Sequence, residues 1–374
     1  MKEFLQGNIA ASYGAIDGGI DFFAGYPITP SSEILETFSR ELPKLGKVFL
    51  QMEDELSSIC AVVGSSLTGK RALTATSGPG FSLMQEGIGY ATMAEAPCVI
   101  INVMRGGPST GLPTNVSQGD YMQSKWGTHG DHPIIIFSPK NPQEFYWLTR
   151  VSFDVAFYYR NPVIILSDES VAHMRTEVER TTPPYNFNFR EKEKIDLPFS
   201  FEYDLTESPF IGKGKKIKIT GLFHDETGFP TNEQNKVEMK MNHLINKIEN
   251  NKGNLFIYES EGLENADIAF IGFGIIGGLV KELKRIFDAK GIKSGFFRPI
   301  TLNPLDENKI IDQFKNIKKI FIIELNKGQL YFDIKRIFSC DKEINFIGYT
   351  RGEIPTITEV YKKIEEFLWI GKII

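Results

Sequence analysis

Three short stretches place reactive or anion-binding side chains beside turns. The first is Gln51-Met-Glu-Asp-Glu55, an acidic cluster at the start of an otherwise apolar run. Leu56, Ile59, Val63 and Leu67 follow at spacings of three and four, which predicts a helix with that face buried. Acids at a helix start are favoured by the macrodipole, so stabilising the helix is one role for the cluster. The second stretch is Thr29-Pro-Ser-Ser-Glu33. It reads as a helix start with Thr29 as N-cap and Pro30 at the first helical position. The same hydroxyl and helix end could receive an oxyanion or a carboxylate. The third is Arg105, which closes the apolar run Pro97–Met104 and precedes Gly106 and Gly107. Arg105 is either a snorkelling or ion-paired arginine or a bidentate clamp for a substrate carboxylate. The glycines would let the backbone come close to a ligand.

Weaker candidates surround these. Gly127-Thr-His-Gly-Asp-His-Pro133 brings His129 and His132 into one polar loop, where they either meet a substrate or fix the loop. Asp168-Glu169 reads as a helix start or an acid at a domain interface. Gly272-Phe-Gly-Ile-Ile-Gly277 has the spacing of a dinucleotide-binding turn. That fingerprint needs an acid near the end of the next strand, and Phe297-Arg-Pro-Ile-Thr301 offers none, so a plain strand-to-helix turn is the stronger reading. An NAD-linked dehydrogenase stays as a rival with that weakness.

Positioning these residues requires an α/β frame. Strand patterns centre on Phe23, Val48, Leu73, Ile100, Ile135 and Ile164, with helices between them. Such alternation predicts a mostly parallel sheet covered on both faces, with ligands at the carboxyl ends of the strands. A second α/β pattern has strands centred on Phe270, Phe296, Ile322 and Phe346, and a last helix over residues 358–368. Between them the pattern is lost, apart from a strand-like alternation over 213–222 and a polar helix over 235–249. The expected division is 1–172, a connector 173–261, and 262–374.

The 374 residues have a net charge of −5 and no basic stripe, which argues against nucleic acid as a partner. No apolar run is long enough to span a bilayer and the start does not read as a signal peptide, so a cytoplasmic protein is expected. Cys60, Cys98 and Cys340 are scattered, and the five histidines form no metal-binding pattern. A metal or cluster on this chain is therefore not expected.

Taken together, GYPITPSSE from Gly25, QMEDE from Gln51, TATSGPGFSLMQEGIGYA from Thr74 and RGGPSTGLPT from Arg105 resemble the alpha subunits of 2-oxoacid:ferredoxin oxidoreductases, most of all the 2-oxoglutarate type. QGDYMQSKWGTHGDHP from Gln118, PVIILSDE from Pro162 and ELNKGQL from Glu324 add to the resemblance. It implies a pyrimidine-binding thiamine-enzyme domain, a connector and a transketolase-C-like domain. It implies thiamine diphosphate shared with a beta subunit that holds Mg2+ and a [4Fe-4S] cluster. Coenzyme A and ferredoxin would be further partners, with gamma and delta subunits in some assemblies. Glu55, with Gly64 nine residues on, matches the glutamate set against N1′ of the aminopyrimidine, ahead of Glu53. Ile28, Ser77 and Gly78 would join Glu55 around the cofactor, and Thr29 and Arg105 would hold the oxoacid carboxylate. Lys125 and His129 are candidates for a distal carboxylate. Pyruvate and branched-chain oxoacids, or a non-catalytic structural subunit, remain alternatives.

Overall fold

Every residue of Cys98–Met104 is buried. A strand covered on both faces belongs in the middle of a parallel sheet. The computed structural model of the chain places it there, and describes residues 2–202, 205–339 and 341–370. Cys340 lies outside these residues. Seven strands run in the order Thr301–Asn303, Ile135–Phe137, Val163–Asp168, Cys98–Met104, Ala72–Thr76, Phe22–Gly25, Val48–Gln51. All neighbours are parallel except the first pair. A second sheet orders Tyr258–Glu261, Ser294–Pro299, Ile268–Ile271, Lys319–Glu324 and Glu343–Gly348, with only Tyr258–Glu261 antiparallel. Each of the ten strand centres expected from the sequence lies in a strand.

The two sheets exchange pieces. Thr301–Asn303 leaves the second α/β unit to pair with Ile135–Phe137 of the first. Tyr258–Glu261, which falls before residue 262, is an edge strand of the second sheet. Polar contacts lock the seam. Lys125 Nζ lies 2.7 Å from Asp333 Oδ2, and Arg298 Nη2 lies 2.7 Å from Glu144 Oε1. Asp168 Oδ2 accepts from the backbone N–H of Ile275 at 2.9 Å.

Local expectations needed three corrections. Thr29 is not an N-cap: the helix is Ser32–Glu41 and Ser31 precedes it, its hydroxyl donating to the Ile28 carbonyl at 2.9 Å. The loop is instead held from outside, by Asn8 Nδ2 donating to the Pro30 carbonyl and to Glu33 Oε2, each at 2.8 Å. Leu56 is not on the buried face, being 47% exposed. The helix Glu55–Ser66 buries Glu55, Ser58, Ile59, Val62, Val63 and Ser66, so Leu56 turns outward in line with Cys60 and Gly64. Residues 213–222 form no strand, because no neighbour offers them a ladder. Their Ile219 packs on the first core, and Gly221 comes so near the Tyr90 ring that a side chain there would strike it. The polar helix is Gln234–Glu249, and it buries Lys240, His243 and Lys247.

Candidate active site

The acidic cluster divides into three environments within three residues. Glu53 is exposed. Asp54 is the N-cap, its Oδ1 accepting from the Ser57 backbone N–H at 2.7 Å. Glu55 is the first helical residue and is 4% exposed. No side chain among the described residues donates a hydrogen bond to its carboxyl. Burial pushes its pKa up and Asp54 adds to this, while its own backbone N–H and Arg105 pull it down. The dipole-favoured acid of the sequence is thus Asp54, and Glu55 is left buried and unpaired.

Gly80 faces Glu55. A Cβ built on Gly80 would lie 2.2 Å from Glu55 Oε1 and 2.3 Å from Thr76 Oγ1, so only glycine lets the backbone come this close to the carboxyl. At this end of the strand, buried polar atoms lack partners: Thr76 Oγ1, Ser77 Oγ and Arg105 Nε. Buried polar groups are normally satisfied, and a cluster of orphans at a strand end marks a place for a polar ligand. Ser77 and Gly78 follow the strand Ala72–Thr76 directly. Gly78 has φ +36°, and its missing side chain would sit 3.5 Å from Arg105 Nε.

Arg105 follows the central strand and is 6% exposed. Its Nη1 donates to the Thr29 carbonyl at 2.7 Å and its Nη2 to the Thr110 carbonyl at 3.2 Å. Burial draws its pKa down, and Asp120 and Glu55 hold it up. The guanidinium is therefore fixed by two carbonyls with Nε still free. Thr29 itself is exposed and Ile28 half-buried. Arg105 lines a cavity of about 650 Å3 where the two α/β units meet, together with Gly78, Asp120, Gln123, Asn326 and Lys327. Lys327 is exposed and forms no ion pair among the described residues. The Asn326 side chain fixes its loop, with Oδ1 accepting from Gly328 N at 2.7 Å and Nδ2 donating to the Gln118 carbonyl at 2.7 Å.

The structure thus gathers Glu55, Ser77, Gly78, Arg105 and the Thr29 loop. It does not bring Lys125 or His129 to them. Lys125 is 7% exposed and bound to Asp333, which also accepts from the Tyr121 hydroxyl. His129 lines a separate cavity with His132, Glu86 and Tyr90. The Gly272–Gly277 turn is closed to a dinucleotide. Asp168 already occupies the Ile275 N–H, and Gly277 packs on Arg298, whose Cδ would be 2.0 Å from an added Cβ. Asp168 caps the helix Glu169–His173 and bridges to that turn, with its pKa pushed up to about 7 by burial. The reading of the sequence missed Gly80, Thr76 and Lys327. Gly80 and Lys327 stood inside conspicuous stretches, but nothing in one dimension points a glycine at a distant carboxylate.

Comparison with known proteins agrees with this geometry. Residues 13–243 match the family model "Pyruvate flavodoxin/ferredoxin oxidoreductase, thiamine diP-bdg", and residues 266–360 match "Pyruvate:ferredoxin oxidoreductase core domain II". The chain is 42% identical to the 2-oxoglutarate synthase subunit KorA of Methanocaldococcus jannaschii, over 97% of this chain and 99% of the relative. It is less similar to the ketoisovalerate oxidoreductase subunit VorB of Methanothermobacter marburgensis, at 34% over 97% of each. Among solved structures it superimposes on the 2-oxoglutarate:ferredoxin oxidoreductase of Magnetococcus marinus, described with 2-oxoglutarate, coenzyme A and succinyl-CoA bound. That match has a TM-score of 0.89 and 33% identity, covering 98% of this chain and 65% of that one. The chain therefore belongs to the 2-oxoacid:ferredoxin oxidoreductase family, as an alpha subunit of the 2-oxoglutarate synthase type.

Proposed function

We propose that this chain is the alpha subunit of an enzyme that converts 2-oxoglutarate and coenzyme A to succinyl-CoA and CO2, reversibly, passing the electrons to ferredoxin. The observation that carries the mechanism is Glu55, buried without a side-chain partner, with a raised pKa and only Gly80 and free hydroxyls before it. These residues fit thiamine diphosphate: a buried carboxyl for a ring nitrogen, unsatisfied hydroxyls at Thr76 and Ser77, a glycine packed against that carboxyl, and the apolar Ile28 beside the Thr29 loop. When bound, that cofactor supplies the nucleophilic carbon for the 2-oxo group and keeps the electron pair that CO2 leaves behind. Glu55 holds and exchanges a proton at the aminopyrimidine nitrogen. Its raised pKa brings it nearer the neutral range in which a general acid and base works best. Arg105, pinned by the Thr29 and Thr110 carbonyls, presents its guanidinium to the substrate's carboxylate, and the Thr29 hydroxyl adds a donor.

The distal carboxylate asks for a second cation. Lys125 is committed to Asp333, and Lys327 shares the Arg105 cavity, so Lys327 takes that role. A beta subunit would bring the diphosphate site with Mg2+ and the [4Fe-4S] cluster, with gamma and delta subunits where the assembly has them. No described helix is long and apolar enough to cross a membrane, which fits a cytoplasmic enzyme.

The test is viologen reduction by the co-expressed, anaerobically purified complex, comparing kcat/KM for 2-oxoglutarate, pyruvate and 2-oxoisovalerate. We expect 2-oxoglutarate to lead. Lys327→Met should lower its kcat/KM by roughly 10- to 100-fold, the worth of a hydrogen bond to a charged group, and leave pyruvate unaffected. A lead for 2-oxoisovalerate would overturn the substrate, and no turnover of any oxoacid by a fully loaded complex would overturn the enzyme.

A further inference from the structure

Around a second buried carboxylate, Glu95, cations outnumber anions. Glu95 is 3% exposed and accepts from Lys240 Nζ at 2.6 Å and Lys247 Nζ at 2.9 Å, with His243 Nε2 at 3.3 Å. Arg160 stands beside them, its carbonyl accepting from Lys247 at 3.0 Å. Lys192 is next, its pKa drawn down to about 8 by burial and by the charge of Arg160. Arg160, Lys240 and Lys247 thus crowd around the one carboxylate of Glu95, with Lys192 near Arg160, its Nζ donating to the Phe157 and Tyr158 carbonyls at 3.4 and 3.2 Å.

Arg160 is the member without an acceptor. It is 7% exposed, and its guanidinium makes no hydrogen bond or ion pair with any described residue. It lies 5.5 Å from the centre of the Phe210 ring and lines a cavity of about 360 Å3. A buried guanidinium normally has a counterion, because leaving one unpaired is costly. Of the described acids on the cavity, Asp154 is held by Arg71 at 2.6 Å, and Glu207, 3.7 Å from Lys194, lends its charge to Lys192; neither forms an ion pair with Arg160. Lys192 also lines the cavity, with Nζ 5.2 Å from the Tyr158 ring centre. The rest of the wall is aromatic: Phe157, Tyr158, Phe189 and Phe210. Thr206 and Ser208 add hydroxyls, 3.0 Å apart.

The cavity thus sets a guanidinium without a hydrogen-bond acceptor, and a lysine near it, against flat apolar walls. A bare anion would leave the rings wet, and an apolar molecule would leave the charge unmatched. We propose that this cavity binds a nucleoside monophosphate, with the phosphate at Arg160 and Lys192 and the base against Tyr158, Phe189 and Phe210. A base stacks on aromatic faces whatever its sequence of donors, and a doubly charged phosphate suits two cations. The site rests on none of the residues assigned to turnover.

Isothermal titration of the intact complex with AMP tests this, against adenosine and inorganic phosphate separately. AMP should bind at least tenfold more tightly than either fragment. Lys192→Gln and Phe189→Ala, both near the surface of the fold, should each weaken AMP at least fivefold and leave viologen reduction unchanged. Arg160→Gln should abolish binding if that variant folds. No binding of AMP to the wild type would overturn the proposal. So would phosphate binding as tightly as AMP. So would AMP binding that coenzyme A displaces and that Lys192→Gln and Phe189→Ala leave intact, since the nucleotide would then occupy the coenzyme's own site.

Discussion

Glu55 and Glu95 are buried to nearly the same degree, at 4% and 3% exposure, and their surroundings are opposite. Glu95 has two lysines and a histidine on its oxygens, and its pKa lies well below the usual carboxylate range. Burial alone would raise it, and the charges of Lys240 and Lys247 reverse the sign. Glu55 has no side-chain partner, and burial leaves its pKa raised. Glu95 ties the helix Gln234–Glu249 to the first α/β unit. Glu55 lies closely against Gly80, beside the unsatisfied hydroxyl of Thr76. Burial alone does not separate a structural carboxylate from a reactive one. The partners do.

The sharpest way to break this contrast is to neutralise each carboxylate in turn. Glu55→Gln should cut kcat of the complex by about 10²- to 10⁴-fold, the usual worth of a positioned acid or base, with the melting temperature unchanged or raised. Turnover within threefold of wild type would remove Glu55 from the chemistry. Glu95→Gln should act the other way round. It leaves Lys240 and Lys247 buried without a countercharge, so denaturant unfolding should show a loss of about 3–5 kcal/mol, while folded enzyme keeps most of its kcat. A loss below 1 kcal/mol would show that the cations relax or discharge at little cost.

Gly80→Ala tests the close approach of Gly80 to Glu55. The added methyl would meet Glu55 Oε1, so the carboxyl must move, and a misplacement of that size should cost up to about 10²-fold in kcat/KM with little change in stability. Normal activity would mean that Gly80 only shapes the turn.

The smallest effect belongs to His173, which lies between the two extremes. Its Nδ1 is 2.8 Å from Glu169 Oε1 and its Nε2 is 3.5 Å from Glu33 Oε1, which behaves as the anchor of the Thr29 loop. Hydrogen bonds to Glu169 and Glu33 raise its pKa from 6.5 to about 9. A pKa raised by folding gives stability that is complete below pH 6.5 and is lost as pH climbs through 9. Because the ring is partly exposed, the effect should be on the order of 1 kcal/mol. Urea midpoints at pH 6 and pH 9.5 should differ in the wild type more than in His173→Gln. An equal pH response in both would show that His173 carries none of it.

The frame was legible in the sequence because parallel strands are apolar runs, and each run from Phe23 to Phe346 was long enough to stand out. The glycine turn at Gly272 was also legible as a plain turn, through the missing acid. Local caps were less so. Thr29 had every local sign of an N-cap and lost the role because Asn8, from another helix, organises the loop and moves the helix start to Ser32. The helix over 235–249 read only as polar, and nothing in that pattern showed that its lysines are buried on a single carboxylate far earlier in the chain.

The sequence by itself determined the α/β order, the glycine-bearing strand ends and the family resemblance, since these depend on spacing and residue type along the chain. Only the tertiary structure decided which acid of Glu53, Asp54 and Glu55 is buried without a side-chain partner, that Lys125 is spent on Asp333, and that Lys327 shares a cavity with Arg105. Those are matters of charge and burial, and both are set by neighbours that the chain brings in from tens to hundreds of residues away.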